Sequence, residues 1–189
     1  LLNPQIGGPS VYPPAPRFLF LPPASYGEKE WDTADSAANN RRSLYVQMYR
    51  SVPYPPMQVF DAPNGNASCV RRVRSNTPLQ ALTMLNETQF VTCAQAMSER
   101  LLAASCDSDD QRIAIAYGLL LCREPTVNET TRLSRFLADC REQIRSGQLD
   151  AAAIAASDSD ATAGQAEELA AWTLVARCLL NLDETITKQ

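Results

Sequence analysis

The sequence of 189 residues contains no histidine. This absence excludes Ser-His-Asp and Cys-His catalytic arrangements within the chain, together with metal sites and haem ligation that depend on imidazole. None of the six cysteines is spaced as C-x-x-C, so zinc ribbons, thioredoxin-type sites and c-type haem attachment lack their signatures. We therefore predict no catalytic residue, no metal site and no cofactor in this chain.

Long apolar runs are absent as well. No segment approaches the roughly 20 apolar residues that cross a bilayer, so we expect no membrane span in this chain. The sequence opens with Leu-Leu-Asn-Pro rather than with methionine, and we expect it to be a piece of a larger protein. Its net charge of -4 argues against nucleic acid as a partner, because binding nucleic acid requires a basic face that displaces counterions.

Proline dominates the beginning of the chain. The residues between 9 and 23 include Pro9, Pro13, Pro14, Pro16, Pro22 and Pro23. Each proline fixes φ and lacks a backbone donor, which favours extended chain over helix. We predict an extended strap over 1–38, part of a domain that begins upstream. Its expected anchors are the aromatic side chains of Tyr12, Phe18, Phe20 and Trp31.

A helical domain is predicted over 39–189. Its first expected helix covers 39–51, where one apolar stripe consists of Leu44, Tyr45, Met48, Tyr49 and Val52. Prolines at 53, 55 and 56 end it, and a loop is expected over 53–76.

Four helix start signals follow this loop. They are the runs Thr77–Gln80, Asn86–Gln89, Ser108–Gln111 and Thr126–Glu129, in which a capping side chain precedes a Glu or Gln by three residues. Apolar residues at helical spacing follow each of them, and a last helix is predicted over 165–182. Between them, 146–163 reads as a loose Ala/Ser/Asp segment with one short helical turn near 150–156. Together these signals predict an all-α fold, an antiparallel helical bundle preceded by the proline-rich segment.

The densest candidate site lies just before the first of these start signals. Arg71, Arg72, Arg74 and Asn76 precede a helix N-terminus, and guanidinium groups beside exposed backbone N–H groups suit an anionic ligand. The alternative is structural: the arginines bridge the loop to Asp61, to Glu87 or to helix carbonyls.

The cysteines allow one disulfide hypothesis. Cys93 and Cys122 lie at similar sequence distances on either side of the turn at 104–108, so antiparallel helices rising ~1.5 Å per residue would place them at matching heights. The alternative is that the cysteines are small buried apolar residues.

Five segments carry a resemblance to a known family. They are Ile6-Gly7-Gly8-Pro9-Ser10-Val11, Arg41-Arg42-Ser43-Leu44-Tyr45, Phe60-Asp61-Ala62-Pro63, the run 69–86 with its Asn-Thr-Pro-Leu-Gln-Ala-Leu core, and 172–184 at the last helix. The chain resembles the C-terminal half of planctomycete-specific domain one, a domain of unknown function (1553). The resemblance implies an extracytoplasmic setting, periplasmic, cell-surface or secreted, within large planctomycete proteins that carry cytochrome-c-like modules. Haem would then belong to an upstream module, and upstream domains of the same polypeptide would be the partners.

Three functions remain open at this point. The first is a non-catalytic module that supports or docks onto neighbouring domains. The second is a binding site for an anionic glycan, such as an acidic polysaccharide, or for another acidic ligand. The third is part of a split active site in polysaccharide degradation or redox chemistry.

Overall fold

The computed structural model describes residues 2–33, 36–72, 74–156 and 162–187. The chain divides into two compact units, Leu1–Thr83 and Met84–Gln189, so the predicted boundary after residue 38 lies inside the first unit. Within the described residues the extended chain forms only isolated bridges, Asn3 with Arg41 and Val11 with Val46. The fold is all-α, as predicted.

The first unit contains only short helical segments. They are a 3-10 turn at Arg17–Phe20, α1 (Ser36–Asn39), a 3-10 turn at Ser43–Tyr45 and α2 (Pro55–Val59). The helix predicted over 39–51 is wrong, and α2 lies within the predicted loop. The physical reason is a competing partner for the backbone: Val11 donates to the Tyr45 carbonyl at 2.8 Å and accepts from Gln47 at 2.9 Å. Backbone groups that a helix would need are used by the strap instead.

The core of the first unit is aromatic. Trp31 is stacked on Phe20, with ring centroids 4.2 Å apart, and on Tyr54 at 5.8 Å. Its indole nitrogen donates to the Pro13 carbonyl at 2.9 Å. Of the predicted anchors, Phe20 is buried, whereas Phe18 is 67% exposed, so Phe18 is not an anchor within this chain.

The second unit is a bundle of longer helices. They are α3 (Pro78–Asn86), which begins in the first unit, then α4 (Thr88–Ala103), α5 (Asp109–Leu121), α6 (Val127–Arg145), α7 (Ala151–Ala155), α8 (Ala163–Leu180) and α9 (Asp183–Ile186). The short turn near 150–156 and the last long helix are therefore confirmed. Helix α8 packs against α4, α6 and α7, and it buries Trp172, Val175 and Leu179 completely or nearly so. It is the central helix of this unit.

The ion pairs show that α5 and α6 are antiparallel. Asp109 at the start of α5 contacts Arg141 near the end of α6. Arg123, just after α5, contacts Glu129 at the start of α6. Opposite ends of the two helices therefore lie side by side, which agrees with the short connection between them.

The capping predictions hold for α3 and α6. Thr77 and Gln80 exchange hydrogen bonds between side chain and backbone at 2.9 and 3.3 Å. Thr126 and Glu129 form the same reciprocal arrangement.

Two other helix starts differ in part from the prediction. Ser108 caps α5 by accepting from Gln111, whose side chain reaches back to Asp107. The predicted cap at Asn86 is wrong, because Asn86 ends α3 and Glu87 is the N-cap residue of α4.

Candidate functional site

The predicted arginine site lies in the segment between α2 and α3. Its base is held by Asp61, a residue with φ of 57°, in the left-handed region that non-glycine residues rarely adopt. The Asp61 carboxylate accepts from both the backbone N–H and the hydroxyl of Ser75, at 3.0 and 2.6 Å. These bonds close the two ends of the segment on each other, so its conformation is fixed at the base.

Gln80 completes this anchor from inside the unit. Its side chain is 1% exposed. The amide nitrogen donates to the Val59 carbonyl at 2.9 Å and to the Ser75 hydroxyl at 3.0 Å. The amide oxygen accepts from the backbone of Thr77 at 2.9 Å. Both ends of a buried polar group are thus satisfied, and a single glutamine joins α2, the loop and the start of α3.

Arg72 belongs to the same anchor. Its guanidinium donates to the backbone carbonyls of Phe60 at 2.8 Å and of Asp61 at 3.3 Å. These bonds agree with the structural alternative for Arg72, although the acceptors are backbone carbonyls and not the Asp61 carboxylate. Arg72 therefore closes the loop, and its role as an anion ligand stays a prediction.

The other predicted ligands are exposed. Arg71, Arg74 and Asn76 all lie at the surface. The guanidinium of Arg71 forms no ion pair within the part of the chain that the structure describes. All four predicted side chains are thus exposed, and Arg72 differs from Arg71 in that its guanidinium binds backbone carbonyls of the loop.

Another arginine of the first unit, Arg41, has a structural role. Arg41 is buried and donates to the carbonyls of Pro9 at 2.9 Å, of Gln5 at 3.3 Å and of Gly7. Its guanidinium lies 3.7 Å above the Tyr45 ring. Arg41 therefore fixes the Gly-Gly turn near the start of the chain.

A groove of about 590 Å³ opens in the first unit, and sequence reasoning missed it. Its lining includes Phe20 and Trp31 and charged side chains of both signs, namely Arg17, Glu28, Lys29, Glu30 and Asp32. The alternating charges over 28–32 were the one feature of the sequence that could have pointed to this groove. Trp31 is already stacked on Phe20 within the aromatic core, so the groove offers charged side chains more than aromatic ones.

Two ionic networks in the second unit also escaped prediction. Arg141 holds Asp109 at 2.6 Å and Glu168 at 2.7 Å, and the hydrogen bond from Arg141 lowers the pKa of Asp109. These partners lie far apart in sequence, so no local pattern pointed to them. Every charged member is paired, as expected of a network that joins helices.

The second network surrounds Arg123. This guanidinium contacts Glu129 at 2.7 Å and Glu184 at 2.8 Å. Hydrogen bonds from Arg123, and after it from the Thr126 backbone, lower the pKa of Glu129 to about 2. A carboxylate with this pKa is a weak base near neutral pH. The hydrogen bond from Arg123 lowers the pKa of Glu184 as well.

The cysteines carry free thiols throughout, with Cys93 and Cys122 among them. The hypothesised pair is therefore not bridged in this structure and stays a prediction. Burial raises the pKa of the Cys93 thiol, and it raises that of the buried Cys140 to about 11. Such thiols are protonated at neutral pH and react slowly as nucleophiles.

Within the described residues, no group of three or more histidine, cysteine or acidic side chains is arranged to hold a metal ion. None of the described helices combines the length and apolarity that crossing a membrane requires.

Comparison with known proteins gives one match. The model of the family described as PSD1, protein of unknown function (DUF1553), matches residues 1–137. The match covers the arginine segment and ends inside α6, and it does not reach the resemblance noted at 172–184. No curated protein matches the chain, and no solved structure does.

Proposed function

We propose that this chain, which belongs to the PSD1 family of proteins of unknown function (DUF1553), is a non-catalytic module that docks onto a neighbouring domain of the same polypeptide. The observation that supports this most directly is a set of three exposed aliphatic side chains of the first unit, Leu2, Ile6 and Leu44, which we call the apolar surface. These side chains are 68%, 81% and 81% exposed. Exposed aliphatic side chains on a fixed backbone are typical of an interaction surface.

The backbone beneath this apolar surface is held in place. The Gly7 N–H donates to the Tyr45 hydroxyl at 3.0 Å, and Arg41 binds three carbonyls of the same turn. Ile6 and Leu44 each lie next to one partner of the Gly7–Tyr45 bond. A partner that covers them meets a surface already ordered, which lowers the entropic cost of association.

Footprinting tests the proposal on the full-length protein. Hydroxyl-radical oxidation of Ile6 and Leu44 is measured in the full-length protein and in the 189-residue chain alone. We expect protection of both residues in the full-length protein only. Equal oxidation rates in the two samples would contradict the proposal.

A variant pair extends this test. Ile6→Ser with Leu44→Ser should weaken docking of separately produced neighbouring domains on the order of tenfold per residue, because burying each side chain contributes about 1.5–3 kcal/mol. Val70→Ser is the matched control, since Val70 is an equally apolar exposed residue elsewhere in the unit. An equal effect of the control would point to general surface apolarity rather than to this surface.

A second candidate function is binding of an acidic ligand, such as a sulphated or carboxylated glycan, at Arg71 and Arg74. The supporting observation is that the Asp61–Ser75 anchor fixes the backbone that presents them. Sulphated and neutral oligosaccharides of equal length are titrated into the chain at several salt concentrations. We expect salt-sensitive binding of the sulphated form only, weakened by Arg71→Ala and Arg74→Ala.

The control for this titration is Arg135→Ala, which removes an exposed arginine on α6. It should leave the affinity unchanged. If all three variants lose the same amount of affinity, the binding depends on net charge alone, and a site at the arginine segment is excluded.

A further inference from the structure

The exposed turn Asn64–Gly65–Asn66 places an amide carbonyl, an unhindered backbone nitrogen and a hydrogen-bond donor next to one another. We propose that Asn64 is a site of self-catalysed succinimide formation, through which the folded protein converts this asparagine to aspartate and isoaspartate. The inference concerns a covalent modification and stands independently of either proposed function.

The electrophile is the side-chain carbonyl of Asn64. Its Oδ1 accepts a hydrogen bond from the backbone N–H of Asn66 at 3.1 Å. When a nucleophile adds to this carbonyl, negative charge develops on Oδ1, where that N–H already points. A donor placed in advance at a developing oxyanion lowers the barrier to addition. The turn therefore supplies a small oxyanion hole from its own backbone.

The nucleophile is the backbone nitrogen of Gly65. It has no acceptor for its N–H within the described part of the chain, so no hydrogen bond has to break before it loses its proton. Glycine has no Cβ to crowd the nitrogen, and its backbone moves with little restriction. The nitrogen and the carbonyl belong to adjacent residues, which makes their reaction intramolecular.

The backbone conformation favours glycine at this position. Gly65 has a φ of 73°, in the left-handed region that residues with a Cβ rarely adopt. A Cβ built there would lie 2.8 Å from the Cε of Met48, the flexible end of a side chain that can shift. The fold thus favours, after Asn64, the residue type that leaves the attacking nitrogen open.

The reaction balances without any oxidant or reductant. The Gly65 nitrogen loses its proton to solvent hydroxide and forms a bond to Cγ of Asn64. The bond from Cγ to Nδ2 breaks, and the nitrogen takes up a proton from solvent and leaves as ammonia. Water then adds to either carbonyl of the five-membered ring and opens it to aspartate or isoaspartate. The product has one more negative charge than the original chain, whose net charge is -4.

The chain contains its own matched comparison. Asn3 makes the same type of turn, with Oδ1 accepting from the backbone of Gln5 at 3.0 Å. The residue after Asn3 is Pro4, whose nitrogen has no proton and cannot form the succinimide in the same way. Asn66, in the same loop, is followed by Ala67. These two asparagines separate the effect of the turn from the effect of the following residue.

The experiment is timed incubation of the folded chain at neutral and mildly alkaline pH, followed by tryptic digestion and electron-transfer fragmentation. The peptide 51–71 contains both Asn64 and Asn66, so their conversion is compared within one molecule. We expect conversion at Asn64 on the order of tenfold or more faster than at Asn66, since only Gly65 lacks a Cβ. The rate at Asn64 should rise in proportion to hydroxide, and Asn3 should stay intact.

The control variant is Asn64→Gln, whose longer side chain disfavours closure of the five-membered ring. It should abolish isoaspartate at position 64, leave the slower conversion of Asn66 unchanged, and not change the helical circular dichroism. A parallel incubation in denaturant reports the rate without the turn. If the folded chain keeps Asn64 intact while the denatured chain converts it, or if Asn64 and Asn66 convert equally, the proposal is wrong.

Discussion

The hydroxyl oxygens of Ser98 and Thr173 lie 2.9 Å apart in the completely buried contact between α4 and α8. Ser98 also lies 2.7 Å from the Gln95 carbonyl, and Thr173 lies 2.7 Å from the Leu169 carbonyl. The two hydroxyls thus make three oxygen–oxygen contacts within hydrogen-bond distance, and they have two protons to donate. Each hydroxyl keeps a carbonyl partner on its own helix if the other is removed.

A double-mutant cycle tests this pair. Ser98→Ala and Thr173→Val should each lower the free energy of unfolding by about 1 kcal/mol, the usual contribution of one hydrogen bond. The double variant should lose less than the sum, because the contact between the two hydroxyls is lost in each single variant and can be lost only once in the double variant. Urea titration followed by helical circular dichroism measures all four chains. Strict additivity would show that the two hydroxyls are not coupled.

The anchor of the arginine segment should be sensitive to a change of one atom in Gln80. Gln80→Glu replaces the donor to the Val59 carbonyl with an acceptor and buries a polar group without a partner. We expect a loss of about 1–3 kcal/mol in the free energy of unfolding of the first unit. The control is Gln111→Glu, because the exposed Gln111 uses its side chain as an acceptor to Asp107, a role that glutamate keeps. Similar losses in the two variants would contradict the assigned role of Gln80.

The network around Arg123 predicts acid sensitivity. The pKa of Glu129 is about 2 in the folded chain, whereas an unfolded glutamate titrates near about 4.3. The contribution of this pair is therefore complete above about pH 4.3 and is lost as the pH falls toward about 2. Glu129→Gln should flatten the fall of stability over this window, whereas Glu142→Gln, at an exposed position of α6, should not. Unfolding measured across that pH range checks the sign.

The same arginine holds the last helix. Both oxygens of Glu184 in α9 accept from Arg123, at 2.9 and 2.8 Å. Arg123→Ala should accelerate amide hydrogen exchange over 183–187, since α9 has only four residues and little support of its own. Arg132→Ala, an exposed arginine on α6, is the control. Unchanged exchange at 183–187 in Arg123→Ala would show that α9 is held by packing alone.

Thiol labelling should separate the cysteines by access. Cys69 is exposed, whereas Cys140 is 4% exposed with its pKa raised to about 11. Brief maleimide treatment at neutral pH should label Cys69 first and Cys140 last, as peptide mass spectrometry resolves. Peptide mapping without reductant, after oxidative incubation, tests the hypothesised Cys93–Cys122 bridge. A bridge between other cysteines would exclude that pairing.

The capping boxes predicted correctly where two helices begin, because each box is a local pattern. The Thr77–Gln80 and Thr126–Glu129 boxes lie within four consecutive residues, and both bonds of each form as expected. The helix over 39–51 failed because Val11, more than thirty residues away, takes backbone bonds at Tyr45 and Gln47. Local periodicity contains no information about such a distant competitor.

The anion site itself stays a prediction, but the structure shows where its residues lie. Their clustering in sequence placed the arginines on one segment, and that segment is exposed. Clustering could not distinguish Arg72, which binds the carbonyls of Phe60 and Asp61, from Arg71, which does not. That distinction depends on how the chain turns back at Asp61, a residue whose left-handed backbone has no clear sequence signature.

Because α8 is the central helix of the second unit, the family match and the folded core end at different residues. The family match stops at residue 137, yet Trp172, Val175 and Leu179 fill the core of the second unit from beyond that point. A polypeptide that ended at residue 137 would lack the last part of α6 and all of α8, and it would expose the face of α4 that packs against α8. The residues matched by the family are therefore fewer than the residues needed for a complete core. Expression of this region as a stable protein requires the limit set by folding, at or beyond the end of α8.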